Sequence, residues 1–374
     1  MNLIPQLASE SFMFDIVTNS INFKKYKSFA EKYGLVRDVC KYSSMDELPL
    51  INNETYLNVV QKSPLWLHLR NIAAGTASSV GKCIKGPPMY PTIEQVSETW
   101  QDKINHAPFE VTHTTAGHMK WGVEYEDPAL IHFACANMLS VVQVGTVHLP
   151  FSFILSIVEQ YLPTEESLLV KKAAKLITTN EHFLVSPDGV VGEPDDGQPD
   201  ELPKKLKGML EIKCISPFHH VETEDGYLIW VDNMESRQWH RAKEIPYVYV
   251  TQICLQAISG LLRLNMTRDD TMWFMRWSPI GFSEFKIGFE PLIKMGILST
   301  LLYLMLKTRL KSESDLPLAY TPEEIPIVRL MSKYYEEVTG LMTHRYVNHT
   351  NIYPEFQIYR KITENFKFKI PVPN

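Results

Sequence analysis

The stretch GMLEIKCISPF, residues Gly208–Phe218, decides the fold of this chain of 374 residues. Its pattern predicts a β-strand, whose side chains alternate between the two faces of a sheet. Met209, Glu211 and Lys213 then lie on one face, and the apolar residues between them lie on the other. Charged groups in such a strand cost free energy unless they are solvated, paired or bound to an ion. The stretch therefore predicts either a wet strand face or a face that holds a ligand.

The composition is that of a globular protein, with 45% hydrophobic and 21% charged residues. The length is sufficient for one large domain or two, each with a full core. The net charge of -6 excludes a globally basic nucleic-acid binder, so any polyanion must be bound by local positive charge. The five scattered cysteines contain no CxxC, which favours reduced intracellular thiols over a zinc site or a disulfide framework.

The sequence predicts a soluble protein without a membrane partner. The N-terminal residues MNLIPQLASESF lack a basic segment and a long apolar core, so we expect no signal peptide. The most apolar later run, Met295–Leu306, is roughly half of the ~20 residues that a spanning helix needs, and we expect a buried helix there. We expect an intracellular location, and the sequence does not choose between nucleus and cytoplasm.

Helix and strand patterns alternate through residues 61–310, which predicts an α/β core with a mixed central β-sheet flanked by helices. Residues 1–60 are interpreted as a helical N-terminal extension and residues 311–374 as a C-terminal extension. Residues 106–118 are expected to form a loop. Residues 193–208 are polar and rich in Pro and Gly, and are expected to connect two strands.

Four charged residues form a candidate constellation: Glu126 on a helix, Asp188 after one strand, and Glu211 and Lys213 on the next strand. The connecting loop could bring Asp188 next to Glu211. Clustered carboxylates repel one another, and a divalent cation such as Mg²⁺ reverses that effect. Such a cation lowers the pKa of a bound water, which Lys213 would orient or help to deprotonate. The pattern thus indicates a metal-binding face, although an exposed edge strand would produce the same bare pattern.

Four blocks of sequence together resemble the lambda-exonuclease-like (YqaJ-type) family of PD-(D/E)xK nucleases. The blocks are SPLWLHLRNIAAGTASSVGKCI from Ser63, MKWGVEYEDPAL from Met119, FLVSPDGVV from Phe183 and GMLEIKCISPF from Gly208. A looser fifth block is YVTQICLQAISG from Tyr249, which is similar to a helix that carries a glutamine. The resemblance extends from about Ser63 to Gly260 and implies a restriction-endonuclease-like core.

The resemblance assigns roles to the charged constellation. It implies that Asp188 and Glu211 bind a metal ion, that Glu126 completes or positions the metal shell, and that Lys213 serves the attacking water. The implied cofactor is Mg²⁺, with Mn²⁺ as the substitute. Gln252 matches the helix glutamine near the metal site.

The resemblance also implies a pocket for a 5′-phosphate. Its matching positions are Arg70, Ser78 and Ser186. These residue types suit the ligand, because Arg makes forked, charge-assisted bonds to phosphate oxygens and two hydroxyls add donors.

The resemblance implies a metal-dependent deoxyribonuclease that acts 5′→3′ on double-stranded DNA ends, in recombination or in processing of replication intermediates of a virus or mobile element. Its expected partners are DNA and a single-strand annealing protein. Relatives either form a ring around DNA or act alone, so the oligomeric state stays open. The alternatives are an endonuclease or RNA-degrading nuclease on the same core, and a non-catalytic module that binds DNA ends.

Structural interpretations of the same residues also stay open at this point. They are a solvated pair for Glu211 and Lys213, a turn for Asp188, a surface helix position for Glu126, an ion pair for Arg70, and helix or turn caps for Ser78 and Ser186. Trp66 and Trp121 are interpreted as packing residues.

Overall fold

The computed structural model describes residues 17–85, 92–105, 113–177, 180–215, 218–222, 227–232, 243–279, 281–316, 318–348 and 369–371. The α-helices of this part are α1 (Ile21–Lys32), α2 (Pro64–Ile72), α3 (Ala77–Cys83), α4 (Ile93–Ile104), α5 (His113–Asn137), α6 (Phe151–Ser156), α7 (Val158–Tyr161), α8 (Thr164–Ala174), α9 (Tyr247–Arg263), α10 (Phe289–Arg309) and α11 (Glu324–Leu341). Short 3₁₀ helices span Met45–Leu50, Thr55–Asn58 and Glu313–Asp315.

The strands of the described part fall into three sheets. They are β1 (Val36–Asp38), β2 (Gly75–Thr76), β3 (Ser140–Gln143), β4 (Val147–Pro150), β5 (His182–Val185), β6 (Gly189–Gly192), β7 (Leu206–Cys214), β8 (Phe218–Glu222), β9 (Tyr227–Asp232), β10 (Thr271–Ser278), β11 (Gly281–Gly288), β12 (Thr343–Asn348) and β13 (Lys369–Pro371). The central sheet has the order β1-β3-β6-β7-β10-β11-β12, and the smaller sheets have the orders β2-β5-β4 and β13-β9-β8.

The central sheet is mixed. Strands β1 and β3 pair in parallel, as do β7 and β10, and the other neighbours pair antiparallel. Strand β7, which carries the opening stretch, lies between β6 and β10 in the middle of this sheet. Its charged residues are therefore not on an exposed edge, which excludes the edge-strand interpretation.

Helices cover both faces of the central sheet, and strand β7 distributes its side chains between them. Met209 packs in the larger apolar cluster with helices α9 and α10, while Leu210 and Ile212 pack in the second cluster with α5. Each fully buried side chain of this size contributes about 1.5–3 kcal/mol relative to exposure. The two-sided burial fixes the register of β7, since a slip by one residue would exchange the two faces. The alternation predicted from the sequence is confirmed.

Strand β7 approaches β10 so closely that one position requires glycine. Gly208 has φ of +153°, and a Cβ there would lie 1.7 Å from the carbonyl oxygen of Thr271. A side chain would push the strands apart at the residue pair that begins their parallel register.

The mixed α/β architecture with a central sheet between helices agrees with the prediction. The terminal segments differ from it in part, because they are not purely helical. Strand β1 forms one edge of the central sheet and β12 the other. Helix α5 begins at His113, inside the predicted loop at residues 106–118, of which residues 106–112 lie outside the described part.

Helix α10 is the predicted buried helix. It is long and apolar enough to cross a membrane by length and composition, but 89% of its most apolar window is buried inside the fold. Such burial is typical of the core helix of a soluble protein, and the structure is consistent with one.

Candidate functional site

Asp188 and Glu211 lie together where strands β6 and β7 pair. Gly189 is opposite Leu210 in the antiparallel register, so Asp188 lies beside the strand that carries Glu211. The Asp188 backbone N–H donates to the Leu210 carbonyl at 3.1 Å, and its carboxylate Oδ2 accepts from the backbone N–H of Ile212 at 2.6 Å. The structure thus brings together the two carboxylates that the sequence placed side by side.

The raised pKa of Asp188 indicates that negative charge is concentrated around Asp188, Glu211 and Glu126. Burial raises that pKa well above its usual value, and the charges of Glu211 and Glu126 raise it further. Lys213 and the backbone N–H of Ile212 oppose the shift without cancelling it. Neighbouring carboxylates that are partly removed from water disfavour each other's ionised form. A divalent cation would relieve this repulsion.

Glu211 is held in one orientation, with 1% of its surface exposed. Lys213 Nζ and Gln252 Nε2 both donate to Glu211 Oε1, the latter at 2.6 Å, and Gln256 Nε2 donates to Oε2 at 2.5 Å. A carboxylate offers about four lone-pair positions, and these bonds use three of them. The remaining position, on Oε2, accepts no hydrogen bond from the residues that the structure describes.

Lys213 is an ammonium donor in this arrangement. Burial lowers its pKa, but the negative charges of Glu211 and Asp188 outweigh that effect, so the pKa lies above its usual value. The side chain keeps 26% of its surface exposed, and its Nζ lies 5.2 Å from the centre of the Tyr249 ring. A protonated, partly exposed amine at this place can donate to a water or to a phosphate oxygen.

Glu126 reaches the same corner from helix α5. Its Oε2 accepts from Lys62 Nζ at 2.7 Å, and it lines a cavity of about 180 Å³ together with Asp188. Within the described residues, no three His, Cys, Asp or Glu side chains are grouped so that they could hold a metal ion as they stand. The carboxylates are instead engaged by protein donors, namely Lys62 at Glu126 and two amides with Lys213 at Glu211.

The residues predicted to bind a phosphate form a second cluster. Strands β2 and β5 pair in parallel with Thr76 opposite Leu184, so Ser78 and Ser186 each follow that pair by two residues. Arg70 Nη2 lies 3.5 Å from the hydroxyls of both Ser78 and Thr76. Parallel pairing therefore explains why segments more than a hundred residues apart supply one cluster.

Trp66 completes the second cluster. Its indole N–H donates to the Ser186 hydroxyl at 3.0 Å, and the Arg70 guanidinium lies over its ring at 4.2 Å from the ring centre. Stacking holds the guanidinium plane in place. No carboxylate forms an ion pair with Arg70 among the residues that the structure describes, and burial lowers its pKa. A partly buried cation without a counter-ion is suited to an anionic ligand.

The capping interpretation does not describe Ser78. The cap of helix α3 is a capping box formed by Thr76 and Ser79, and the Ser78 hydroxyl instead lies 3.2 Å from the Thr76 hydroxyl. The Ser186 hydroxyl accepts from Trp66 rather than from a helix N–H.

One cavity joins the two clusters. It has a volume of about 950 Å³, and Ser78 and Lys82 line it together with Lys213, Tyr249 and Gln252. The polar face of helix α4, with Gln95, Glu98, Thr99 and Asp102, completes the lining. A ligand in this cavity can therefore contact the Ser78 hydroxyl of the second cluster and the Lys213 ammonium at the same time.

The sequence predicted most of the residues that the structure brings together here, and it did not indicate the contacts of three further residues. Gln256 follows Gln252 by one helical turn and faces the same carboxylate, a spacing visible in the sequence. Trp66 is predicted to be a packing residue, but its indole N–H also donates a hydrogen bond to the Ser186 hydroxyl. Lys62 had no local signal, because its ion pair joins residues 64 positions apart in sequence.

Comparison with protein families gives one match. A family model described as a YqaJ-like viral recombinase domain matches residues 65–261, which cover more than half of the chain. The searches of curated proteins and of solved structures found no match. The matched range contains both clusters and agrees with the resemblance carried by the four sequence blocks.

Proposed function

The chain belongs to the family of the YqaJ-like viral recombinase domain, and from this membership and the geometry of the site we propose that it is a metal-dependent 5′→3′ exonuclease of double-stranded DNA ends. Members of the family are generally nucleases, so an enzyme that hydrolyses nucleic acid in recombination is supported directly, with DNA as its substrate. The metal ion, the polarity and the preference for duplex ends are the parts that we add.

The convergence of Asp188, Glu211 and Lys213 at one corner carries the proposal. A binding module does not need two adjacent carboxylates, since their charge repels the phosphates of DNA. Nor does it need Glu211 fixed by three donors and almost excluded from water. Metal-dependent hydrolysis of a phosphodiester uses both, because the carboxylates hold the cation and the reacting groups must be held in one geometry.

The residues present suit a hard divalent cation. Asp188 Oδ1 accepts no hydrogen bond within the described part of the chain, Glu211 Oε2 keeps one lone pair, and Glu126 faces the same cavity. Carboxylate oxygens with room for water are the donors that Mg²⁺ prefers, and Mn²⁺ accepts the same set. When bound, the cation would acidify a water and neutralise charge on the phosphodiester.

The chain's own groups prepare that step. Gln252 and Gln256 keep the Glu211 carboxylate from rotating, so that its free lone pair has a fixed direction. Lys213, already an ammonium, donates to the attacking water or to the phosphoryl oxygen on which charge develops. Of the two roles that the sequence suggested for Lys213, orienting the water is the one that the raised pKa favours.

The second cluster supports the 5′→3′ polarity. Arg70 has no acidic partner in the described part, and with Ser78 and Ser186 it offers a guanidinium and two hydroxyls to a terminal phosphate. Because Ser78 and Lys213 line the same cavity, a strand whose 5′-phosphate is held by this cluster would present a nearby phosphodiester to Lys213.

The test compares linear duplexes with a 5′-phosphate or a 5′-hydroxyl, in Mg²⁺ and in EDTA, with product length as the readout. We expect short products from the 5′ end, only with Mg²⁺, and faster with the 5′-phosphate. Cleavage of a closed circular duplex, or of RNA in preference to DNA, would instead establish the endonuclease or the RNA-degrading alternative. Binding of ends without any cleavage would establish the end-binding module.

A further inference from the structure

Lys62 forms a contact that neither cluster requires. Its ammonium donates to the Glu126 carboxylate at 2.7 Å, with 48% of the Lys62 side chain and 21% of the Glu126 side chain exposed. Glu126 also raises the pKa of Asp188, so the ion pair lies at the edge of the crowded carboxylate corner. The Lys62 ammonium therefore supplies positive charge at the carboxylates that are proposed to bind the metal ion.

The backbone around Lys62 is built to hold this position. Lys62 has φ of +65°, a left-handed conformation that is uncommon for a residue with a side chain. The preceding Gln61 donates its amide to the carbonyl oxygens of Val144 at 2.8 Å and of Pro187 at 2.9 Å. Pro187 is next to Asp188, so the turn that carries Lys62 is fastened to the turn that carries the carboxylate. A strained residue fixed in this way is typical of a functional position.

The space between these groups suits a hydrated ion. Lys62, Glu126 and Asp188 line the same cavity of about 180 Å³. A water molecule occupies roughly 30 Å³ in the liquid, so this volume corresponds to about six waters.

We propose that Lys62 is a built-in counter-ion for Glu126, which neutralises it in the metal-free enzyme and which a divalent cation must displace. The proposal rests on the metal dependence proposed above. It adds that Lys62 competes with the metal for Glu126, so that the ammonium is released from the carboxylate when the metal enters.

The competition is tested on the full chain by titrating Mn²⁺ without nucleic acid, with free Mn²⁺ followed by electron paramagnetic resonance. Lys62→Gln removes the charge, and Lys62→Asn removes it with a residue that tolerates the left-handed backbone. Both variants are expected to bind Mn²⁺ more tightly than the wild type by roughly two- to fivefold, the range of a half-exposed ion pair. Lys171→Gln is the matched control, because it breaks the exposed ion pair between Lys171 on helix α8 and Glu159 on helix α7, and it is expected to leave the affinity unchanged.

A second measurement isolates the pair. In a Glu126→Gln background, the additional change Lys62→Gln is expected to leave Mn²⁺ affinity unchanged, because the carboxylate for which the two cations compete is gone. Weaker or unchanged binding in both single Lys62 variants would overturn the counter-ion proposal and leave the metal site intact. A folded wild-type protein that takes up no Mn²⁺ would overturn the metal dependence itself, and the proposal with it.

Discussion

Replacing Gln256 by leucine separates the positioning of Glu211 from the stability of the fold. Gln256 is fully buried, and its amide donates to Glu211 Oε2 at 2.5 Å and lies 3.4 Å from the Ser186 carbonyl. Leucine has a similar size and a slightly better helix propensity, so helix α9 should remain intact. The change removes one charge-assisted hydrogen bond, which is worth about 1.5–3 kcal/mol.

The stability of the protein is expected to change much less than that. Gln256 Oε1 is buried without a hydrogen-bond partner in the described part of the chain, which costs about 1–3 kcal/mol, and leucine removes this penalty as well. The second effect offsets much of the first, so the free energy of unfolding should fall by no more than about 2 kcal/mol. Activity has no such compensation. Loss of a residue that orients a metal ligand typically costs about 10–100-fold.

The assay pairs urea denaturation with initial rates on a 5′-phosphorylated duplex. Thr251→Val is the control, because Thr251 is buried on the same helix and its hydroxyl donates to the Tyr247 carbonyl at 3.1 Å. We expect Gln256→Leu to be folded and at least tenfold slower, and Thr251→Val to be close to the wild type. A Gln256→Leu protein with more than half of the wild-type rate would refute the positioning role, as would a rate that falls only in proportion to the folded fraction.

Three further predictions address other parts of the site and the fold. Lys213→Met should lower turnover by about 10²–10³-fold while DNA affinity measured in Ca²⁺ changes little, since one donor to the developing charge is lost; weakened binding at unchanged turnover would contradict this. Arg70→Lys should reduce the rate preference for a 5′-phosphate over a 5′-hydroxyl by about tenfold, because the forked contact is lost, and an unchanged preference would remove the basis for the polarity. Burial, together with the nearby His182, lowers the pKa of His148 from 6.5 to about 4. Its neutral form thus contributes stability above pH 6.5 that is lost as the pH falls toward 4. Because the ring is partly exposed, screening reduces this contribution to about 1–2 kcal/mol, and His148→Gln should flatten the acid limb of thermal unfolding curves by that amount.

The sequence predicted that Asp188 and Glu211 lie together because their geometry is local to one antiparallel strand pair. Asp188 lies in the turn just before β6, and Glu211 lies on β7. Antiparallel pairing of β6 with β7 alone therefore brings the two residues together. The alternation of β7 then determined which side chains would share a face. Gln252 was predicted from the family resemblance alone, and it lies on a helix whose buried residues cover that face.

What the sequence did not reveal depends on long-range pairing. Val36–Asp38 is only three residues long, and its strand conformation is fixed by parallel pairing with residues 141–143, so residues 1–60 were interpreted as helical. Thr343–Asn348 joins the opposite edge through β11 for the same reason. The ion pair between Lys62 and Glu126 and the bond from Trp66 to Ser186 likewise exist only after distant segments have packed. The extents of the predicted nuclease core and of the two extensions stay predictions.

The most direct test of the account is cleavage of a 5′-phosphorylated duplex by Glu211→Gln, with the fold checked by circular dichroism. The substitution keeps the shape of the side chain and removes the negative charge of Glu211. That charge pairs with Lys213 and is proposed to bind the metal ion together with Asp188. We predict a folded protein that binds the duplex but releases no products in Mg²⁺, while the wild type degrades it from the 5′ end. Cleavage by the folded variant at the wild-type rate would show that the carboxylate corner is not where the chemistry occurs.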